Sequence, residues 1–405
     1  MDKNNGAIYD ARKLGKPKMI ILGIQHMFAM FGATILVPIL TGLDISTTLL
    51  MAGLGTLLFH CITKFKVPAF LGSSFAFLGG YAAIKAFSPN DPNSMLPYAC
   101  LGVACAGLIY FILAAVIKAV GIEKVMRFFP PVVTGPIIIA IGLGLAPSAV
   151  SNCTTNWFLA VVALAVIVVF NIWGKGMAKI IPIILGLLIS YGTGLVLYFI
   201  SQANPDLIQN VPWLFSGGAD ANGVYQPIFD FTSLNTICDN ISKGHIFGSE
   251  GLIGIPIHWD KTVFGGIDYS NGALIASSII AIVPIAFATM MEHIGDICAI
   301  SSTTGNNYIK DPGLHRTLVG DGLATTLASL FGGPANTTYG ENTGVLALTR
   351  VYDPRVIRIA AYFAVAVSFF PIVSVIIGSI PSCIIGGISF VLYGMISAIG
   401  VRNVV

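Results

Sequence analysis

Charged side chains are scarce in this sequence. They make up 10% of its 405 residues, whereas 55% of the residues are apolar, and soluble domains carry about 25% charged residues. The mean hydropathy of the chain is +0.86. This composition excludes an ordinary soluble domain and predicts an all-α polytopic membrane protein.

Several motifs that would indicate a cofactor or a catalytic centre are also missing. The seven cysteines show no C-x-x-C spacing, and we find no metal-ligand cluster, phosphate-binding loop or nucleic-acid signature. No nucleophile stands beside a matching base. The sequence therefore predicts no cofactor, no metal and no nucleic-acid partner, and it does not predict an enzyme.

The apolar runs predict twelve membrane spans, since a helix needs about 20 apolar residues to cross the bilayer core. The predicted spans are 19–40, 46–62, 70–87, 98–120, 128–148, 156–173, 180–201, 272–300, 316–331, 335–350, 356–378 and 382–400. Two of them, 70–87 and 335–350, begin with small polar residues and become helical only later.

The basic residues predict the orientation of the chain in the membrane. If the N-terminus is cytoplasmic, eighteen of the 21 Lys and Arg residues fall inside and only Lys85, Lys243 and Lys261 fall outside. This asymmetry follows the positive-inside rule and requires an even number of spans. We therefore expect both termini in the cytoplasm and the polar loop 202–271 outside, either as a cap over a pathway or as a solvated insertion.

The two halves of the chain contain a weak internal sequence repeat. Three pairs of short matches recur in the same order, with offsets of 267, 266 and 251 residues: Gln25-His26 with Glu292-His293, Pro68-Ala69 with Pro334-Ala335, and Pro130 and Gly135 with Pro381 and Gly386. Seven spans separate equivalent elements, so the second copy is inverted, which is a transporter architecture. Extrapolation of the last offset predicts that the second repeat lacks its last two helices.

Acidic residues inside apolar segments are the candidate functional groups, because a charge at membrane depth is costly and marks a site by default. Glu292 and Asp296 are four residues apart and share one helix face. Glu341 lies in the first turn of a half-helix, where the helix dipole favours a carboxylate. An ionised carboxylate only accepts hydrogen bonds, so we expect a ligand with N–H groups, and we expect Glu292 or Asp296 to carry a coupled proton.

Other polar residues in the spans leave two interpretations open. Gln25 and His26 either polarise the binding pocket or hydrogen-bond across helices, and Asp321 belongs either to the transport site or to the structural core. His293 faces about 100° away from Glu292 on the helix, so we expect it to pack in the core. Phe75 would be suited to stack on a flat ring, although aromatic residues in membrane helices mostly pack.

The motifs at these residues resemble the nucleobase–ascorbate transporter family, and within it the bacterial uracil permeases. The resemblance rests on the run from Glu341 to Arg350, which includes Asn342, and on three further runs beginning at Gln25, Gly72 and Asp311. It extends from about residue 17 to the C-terminus.

The resemblance implies an inverted-repeat fold of the 7+7 type, with short strands leading into spans 3 and 10. A cytoplasmic segment would cover 1–18, a core domain 19–127 and 272–380, a gate domain 128–201 and 381–405, and the extracytoplasmic loop 202–271. Spans 13 and 14 of the gate would be absent. Because the gate supplies the dimer contact in the family, a homodimer is one option.

The resemblance also implies a function and a set of binding residues. The protein would be a proton-coupled symporter in the inner or plasma membrane that imports a nucleobase by alternating access. The binding carboxylates would be Glu292 and Glu341, the stacking ring Phe75, and the other pocket residues Gly340 and Ala33.

Glu341 resembles the uracil branch, whereas Asp296 and Asp321 resemble the purine branch, so uracil is the first expectation and xanthine or a related purine the second. A nucleobase-binding membrane protein without transport is a further alternative, prompted by the incomplete gate. An anion carrier is disfavoured because the acids would repel its substrate.

Overall fold

The computed structural model describes residues 7–121, 124, 131–220 and 222–404. Helices dominate these ranges. The elements of the first half are α1 (Lys16–Thr41), α2 (Ile45–Ile62), β1 (Leu71–Ser73), α3 (Leu78–Lys85), α4 (Leu96–Val120), α5 (Pro131–Cys153), α6 (Trp157–Trp173), α7 (Met177–Ile180) and α8 (Pro182–Ala203).

The second half begins with short elements and continues with long helices. In order they are α9 (Asp206–Asn210), α10 (Pro212–Phe215), β2 (Ser216–Ala219), β3 (Tyr225–Pro227), α11 (Thr232–Ser242), α12 (Val263–Gly266), α13 (Gly272–Ile282), α14 (Ile285–Thr304), α15 (Leu314–Leu330), β4 (Asn336–Thr338), α16 (Gly340–Thr349), α17 (Pro354–Ser368), α18 (Pro371–Gly378) and α19 (Ser382–Val404). Short helical turns lie at Ala11–Leu14, Pro92–Met95, Trp259–Lys261 and Ile309–Gly313.

Each of the twelve predicted spans contains a helix, but the helices differ in length. Among the described residues, five helices are long and apolar enough to cross a membrane, or six if one bent pair counts as a single span. The five are Lys16–Thr41, Ile45–Ile62, Pro92–Val120, Pro182–Ala203 and Gly272–Thr304. The number twelve therefore stays a prediction.

The bent pair corrects the expectation of a continuous span at 356–378. Helix α17 ends at Ser368 and a separate helix, α18, begins at Pro371, with Phe369 and Phe370 between them. Pro371 opens α18, and a proline disfavours helical geometry in the residue before it. The break therefore falls where the local sequence favours one.

Two compact units make up the fold. The first comprises Met1–Thr134 and Ile255–Phe370, and the second comprises Gly135–Gly254 and Pro371–Val405. The predicted loop 202–271 is thus divided between the units and contains its own helices and strands. The predicted core–gate border at 127/128, and Pro130 of the third repeat match, lie outside the described residues.

Glycines allow the helices of the first unit to approach closely. A Cβ built on Gly107 of α4 would lie 2.7 Å from the carbonyl oxygen of Gly322 in α15, and a Cβ on Gly322 would lie 2.6 Å from the carbonyl oxygen of Gly107. Small residues at such crossings are typical of membrane helices. They bring α15, which carries Asp321, close to α4.

In the second unit, Asn156 fixes the start of α6 to the segment that follows α8. Its side-chain oxygen accepts a hydrogen bond from the backbone N–H of Leu159 (3.0 Å), which caps the helix, and its amide nitrogen donates to the carbonyl oxygen of Ser216 at 2.8 Å. Phe229 of the same segment is 4% exposed. The predicted solvated insertion therefore includes a packed part.

Candidate substrate site

A pair of short antiparallel strands forms the centre of the candidate site in the first unit. Strand β1 pairs with β4 in the register Leu71↔Thr338, Gly72↔Thr337 and Ser73↔Asn336. Both strands are buried. The pair continues at both ends, since Ser74 N–H donates to the carbonyl oxygen of Ala335 (2.9 Å) and Tyr339 N–H donates to that of Phe70 (3.0 Å). Pro68-Ala69 and Pro334-Ala335, the second repeat match, each stand just before one of these strands.

Tyr339 joins the strand pair to α1. Its hydroxyl donates a hydrogen bond to the carbonyl oxygen of Ser73 (2.9 Å) and accepts one from the hydroxyl of Thr34 (3.2 Å). A Cβ built on Gly72 would lie 2.4 Å from the Tyr339 ring, so only glycine leaves room for this tyrosine. Ala33, a predicted pocket residue, precedes Thr34 and is 2% exposed.

Strand β4 leads directly into α16, whose first two residues are Gly340 and Glu341. No side chain caps this helix, and the first N–H groups of a helix lack intrahelical partners and carry partial positive charge. Gly340 is exposed and Glu341 is half-buried. The side chain of Asp296 reaches the same place, because its Oδ1 lies 3.8 Å from a Cβ built on Gly340.

The predicted acids of α14 lie on the same site as Glu341. Glu292 is exposed and Asp296 is half-buried. Glu292 is close enough to Glu341 and Asp321 for their charges to interact, and Asp296 is close enough to Glu292 and Glu341. The structure therefore brings together the acids that the sequence singled out on separate segments.

A buried network of polar side chains connects Asp296 with Asp321 through strand β4. Thr338 donates a hydrogen bond to Asp296 Oδ2 (2.8 Å), and its hydroxyl lies 3.4 Å from His293 Nδ1. His293 Nδ1 in turn lies 3.4 Å from Asp321 Oδ2, to which Thr337 donates at 3.5 Å. His293 was expected to pack in the core. It is fully buried, but it also connects the two acids Asp296 and Asp321.

The polar residues of α1 meet the start of α16. The side-chain nitrogen of Asn342 donates to the carbonyl oxygen of His26 at 3.2 Å, and it lies 3.2 Å from His26 Nδ1. His26 is therefore hydrogen-bonded across helices to Asn342, and its role in the pocket stays a prediction. Among the described residues, Gln25 Oε1, His26 Nε2 and Asn342 Oδ1 are buried without a hydrogen-bond partner.

Phe75 lies just after strand β1. It follows Ser74, where the β1 pairing ends, and precedes α3, and it is half-buried and packs against the large apolar cluster of the first unit. Part of the Phe75 side chain is therefore accessible.

Sequence reasoning missed several polar members of the site. Thr337 and Thr338 belong to a polar run that marked the segment as unusual, but neither was given a role. No sequence pattern pointed to Thr34 or Tyr339, because a single hydroxyl in an apolar segment forms no periodic pattern.

The chain has clear similarity to known proteins. The sequence profile of the Permease family matches residues 17–405. The uracil permease of Bacillus caldolyticus is 38% identical over 397 residues, which cover 95% of this chain and 79% of that protein. The uracil permease of Bacillus subtilis (strain 168) is 37% identical, with 95% of this chain and 80% of that protein covered. The putative pyrimidine permease RutG of Escherichia coli (strain K12) is 34% identical, with 98% and 80% covered.

Solved structures show a similar fold at low sequence identity. The transmembrane domain of the cyanobacterial bicarbonate transporter BicA aligns with a TM-score of 0.58 and 13% identity, covering 98% of this chain and 97% of that chain. SLC26A9 aligns with a TM-score of 0.53 and 11% identity, covering 96% and 59%. These likenesses show the fold of a multi-pass membrane protein.

Proposed function

Because the chain belongs to the Permease family, we propose that it is a symporter that imports a nucleobase together with protons. Uracil is the first candidate, since relatives at 37–38% identity are named uracil permeases. The observation that carries the proposal is the meeting of Glu292, Glu341 and the open start of α16 at one site of the first unit.

The groups of the site match the edge of a nucleobase. Uracil alternates N–H groups and carbonyl oxygens around a flat ring. Glu341 and Glu292 would accept the N–H hydrogens, and the backbone N–H groups at Gly340 would donate to a carbonyl oxygen, as helix starts do to anionic or polar oxygens. Phe75 would stack on the ring face, and Ala33 would line the pocket through its place beside Thr34.

Protons would be carried by the acids of α14. A proton on Asp296 or Glu292 removes the repulsion between neighbouring negative charges, and nucleobase binding to Glu341 changes how strongly those charges act. Asp321, His293 and the two threonines would hold the acids in place from the buried side.

The cycle would be alternating access between a core and a gate. Every candidate binding side chain lies on the first unit, which takes the role of the substrate-carrying core. The second unit contributes none of them and takes the role of the gate. Inverted-repeat transporters work by moving one such body against the other.

A purine such as xanthine is the second candidate. Asp296 lies beside Gly340 at the start of α16 and offers a further carboxylate there. A larger base with additional N–H groups would use that acceptor, whereas uracil needs fewer hydrogen-bond acceptors.

Uptake of labelled uracil into proteoliposomes with an imposed pH gradient tests the proposal. We expect Glu341→Ala to lower uptake at least tenfold, because a hydrogen bond to a charged group contributes about 1.5–3 kcal/mol and 1.4 kcal/mol is a factor of ten. The matched control is Glu250→Ala, which removes an exposed acid outside the site and should leave uptake unchanged.

Excess unlabelled xanthine in the same assay separates the two bases by competition. Unchanged uracil uptake in Glu341→Ala would remove the central assignment. Binding of uracil by calorimetry without any uptake would instead favour a nucleobase-binding protein that does not transport.

A further inference from the structure

Residues 8–14 precede α1 and lie against the ends of both helices that carry the binding acids. Ile8 N–H donates to the carbonyl oxygen of Arg350 (2.9 Å), and Ile8 accepts at its own carbonyl oxygen from Tyr352 N–H (2.8 Å). These two bonds form a parallel bridge between Ile8 and Val351. The segment is therefore attached to the chain directly after α16, the helix of Glu341.

The next residue attaches the same segment to α14. The hydroxyl of Tyr9 donates to the carbonyl oxygen of Thr304 at 2.6 Å, and Thr304 is the last residue of α14. The Tyr9 ring also contacts the ring of Tyr352 edge-on, with centroids 5.5 Å apart. Tyr9 thus connects the end of the helix that carries Glu292 to the residues that follow the helix of Glu341.

Charged groups and a small apolar cluster hold the segment in place. Asp10 accepts from the guanidinium groups of Arg12 (2.8 Å) and Arg355 (3.0 Å), and Ala11 N–H donates to Asp353 Oδ2 at 2.7 Å. The hydrogen bonds from Arg12 keep the pKa of Asp10 below its usual range, so the carboxylate stays ionised at neutral pH. Ala11 itself is fully buried, and it belongs to a small apolar cluster with Val351 and Val356.

The attachment points are remote from the acids. Thr304 comes twelve residues after Glu292, which is about 18 Å along the helix, and Arg350 comes nine residues after Glu341, about 14 Å. The segment therefore does not touch the substrate site. Any effect it has on binding must pass along the two helices.

We propose that residues 8–14 are a clip that ties the ends of α14 and α16 together and so sets the spacing of Glu292 and Glu341, with Tyr9 as a positioning residue. The effect of the clip on substrate affinity rests on the nucleobase function proposed above. The contacts themselves do not depend on which base is bound. An N-terminal segment of this kind adds to substrate affinity without contacting substrate.

Tyr9→Phe is the test, since it deletes the hydroxyl that reaches Thr304 and keeps the ring against Tyr352. The matched control is Tyr269→Phe. Tyr269 also donates its hydroxyl to a backbone carbonyl, that of Val263, at 2.7 Å, but it lies in the segment between α12 and α13.

In proteoliposome uptake we expect Tyr9→Phe to raise KM for the nucleobase two- to tenfold, the range set by the loss of one hydrogen bond, with the maximal rate kept. A purely structural role would instead reduce the amount of folded transporter, which lowers the maximal rate and leaves KM unchanged. That result, or an equal rise of KM in Tyr269→Phe, would overturn the clip.

A second measurement needs no substrate. Hydrogen exchange followed by mass spectrometry should show faster amide exchange at residues 344–349 of α16, whose N–H groups are bonded within the helix, in Tyr9→Phe than in the wild-type chain and in Tyr269→Phe. Unchanged exchange there would overturn the clip even if the transporter works. If the wild-type chain moves no nucleobase but exchange at 344–349 rises, the clip stands and the proposed function fails.

Discussion

Asp296 is the residue at which the proposed substrate recognition and the proposed proton coupling would meet. It accepts a hydrogen bond from Thr338 at 2.8 Å, lies beside Gly340 at the start of α16, and is within range of the charges of Glu292 and Glu341. A proton on this carboxylate changes the electrostatics of the whole site, while the hydrogen bond from Thr338 keeps the side chain in place.

Asp296→Asn should separate transport from coupling. The amide oxygen of asparagine still accepts from Thr338, but the amide carries no exchangeable acid proton. We expect nucleobase counterflow between two equal pools to persist, while accumulation driven by a pH gradient falls at least tenfold. Both are measured with labelled base in the same proteoliposomes.

The control for this substitution is Asp260→Asn, which neutralises an exposed acid outside the site and should accumulate base like the wild type. Full accumulation by Asp296→Asn would exclude Asp296 as the proton carrier and leave Glu292. Loss of counterflow as well would place Asp296 in binding rather than in coupling.

At this scale the sequence singled out the acids but not the residues that hydrogen-bond to them. Glu292 and Glu341 were conspicuous because a charge in an apolar run is costly, and their role in binding stays a prediction. His293 was assigned to packing from its direction on the helix, and that direction was right. The sequence did not show that Asp321 of α15 lies next to His293 of α14, because this depends on how the two helices pack against each other.

At the scale of elements, the antiparallel pair of β1 and β4 joins the two halves of the chain. Its position fixes the starts of α3 and α16, and Tyr339 attaches it to α1 through Thr34. Strands of three residues have few bonds of their own, so close packing around them is needed to keep them paired. At Gly72 this packing leaves no room for a side chain.

Gly72→Ala should therefore destabilise the first unit. The new Cβ would lie 2.4 Å from the Tyr339 ring and 2.7 Å from Thr34 Oγ1, and overpacking of this kind costs about 1–3 kcal/mol. We expect a lower melting temperature of the purified protein in detergent and a loss of uptake.

Gly79→Ala is the matched control for that substitution. Gly79 lies on the neighbouring helix α3, and a Cβ built there meets nothing within 4 Å, while alanine favours a helix over glycine by about 1 kcal/mol. Its melting temperature should be unchanged or higher. Equal behaviour of the two variants would show that the strand pair tolerates a methyl group at Gly72.

The sequence predicted where helices form, but not how they bend. Every one of the twelve apolar segments contains a helix, because an apolar run of membrane length leaves the backbone few other ways to satisfy its hydrogen bonds. The break between α17 and α18 had only Pro371 as its signal. A proline shows where a helix can break, but most prolines in the spans lie inside or at the start of helices, so it does not fix the break by itself.

At the scale of the molecule, the multi-pass membrane architecture agrees with the Permease family and with the fold of the bicarbonate transporter domain. The inverted repeat and the orientation of the termini remain predictions from sequence. The orientation rests on the basic residues, which lie almost entirely on one side of the predicted spans. It also decides from which side the clip of residues 8–14 is reached.

Two native cysteines report the orientation directly. Cys61 is exposed near the end of α2, and Cys238 is exposed in α11. With the N-terminus inside, Cys61 precedes the basic residues Lys64 and Lys66 on the cytoplasmic side, and Cys238 lies outside. In single-cysteine variants, a membrane-impermeant maleimide should label Cys238 in intact cells and Cys61 only after permeabilisation.

A variant that retains only Cys383 is the control for reagent access, because this cysteine is fully buried and should stay unlabelled in both conditions. Labelling of Cys61 in intact cells, with protection of Cys238, would invert the topology. Inversion would place the clip on the outer face and eighteen of the 21 basic residues outside, against the charge asymmetry that orients membrane proteins during insertion. The labelling pattern therefore tests the positive-inside argument and the location of the clip in one experiment.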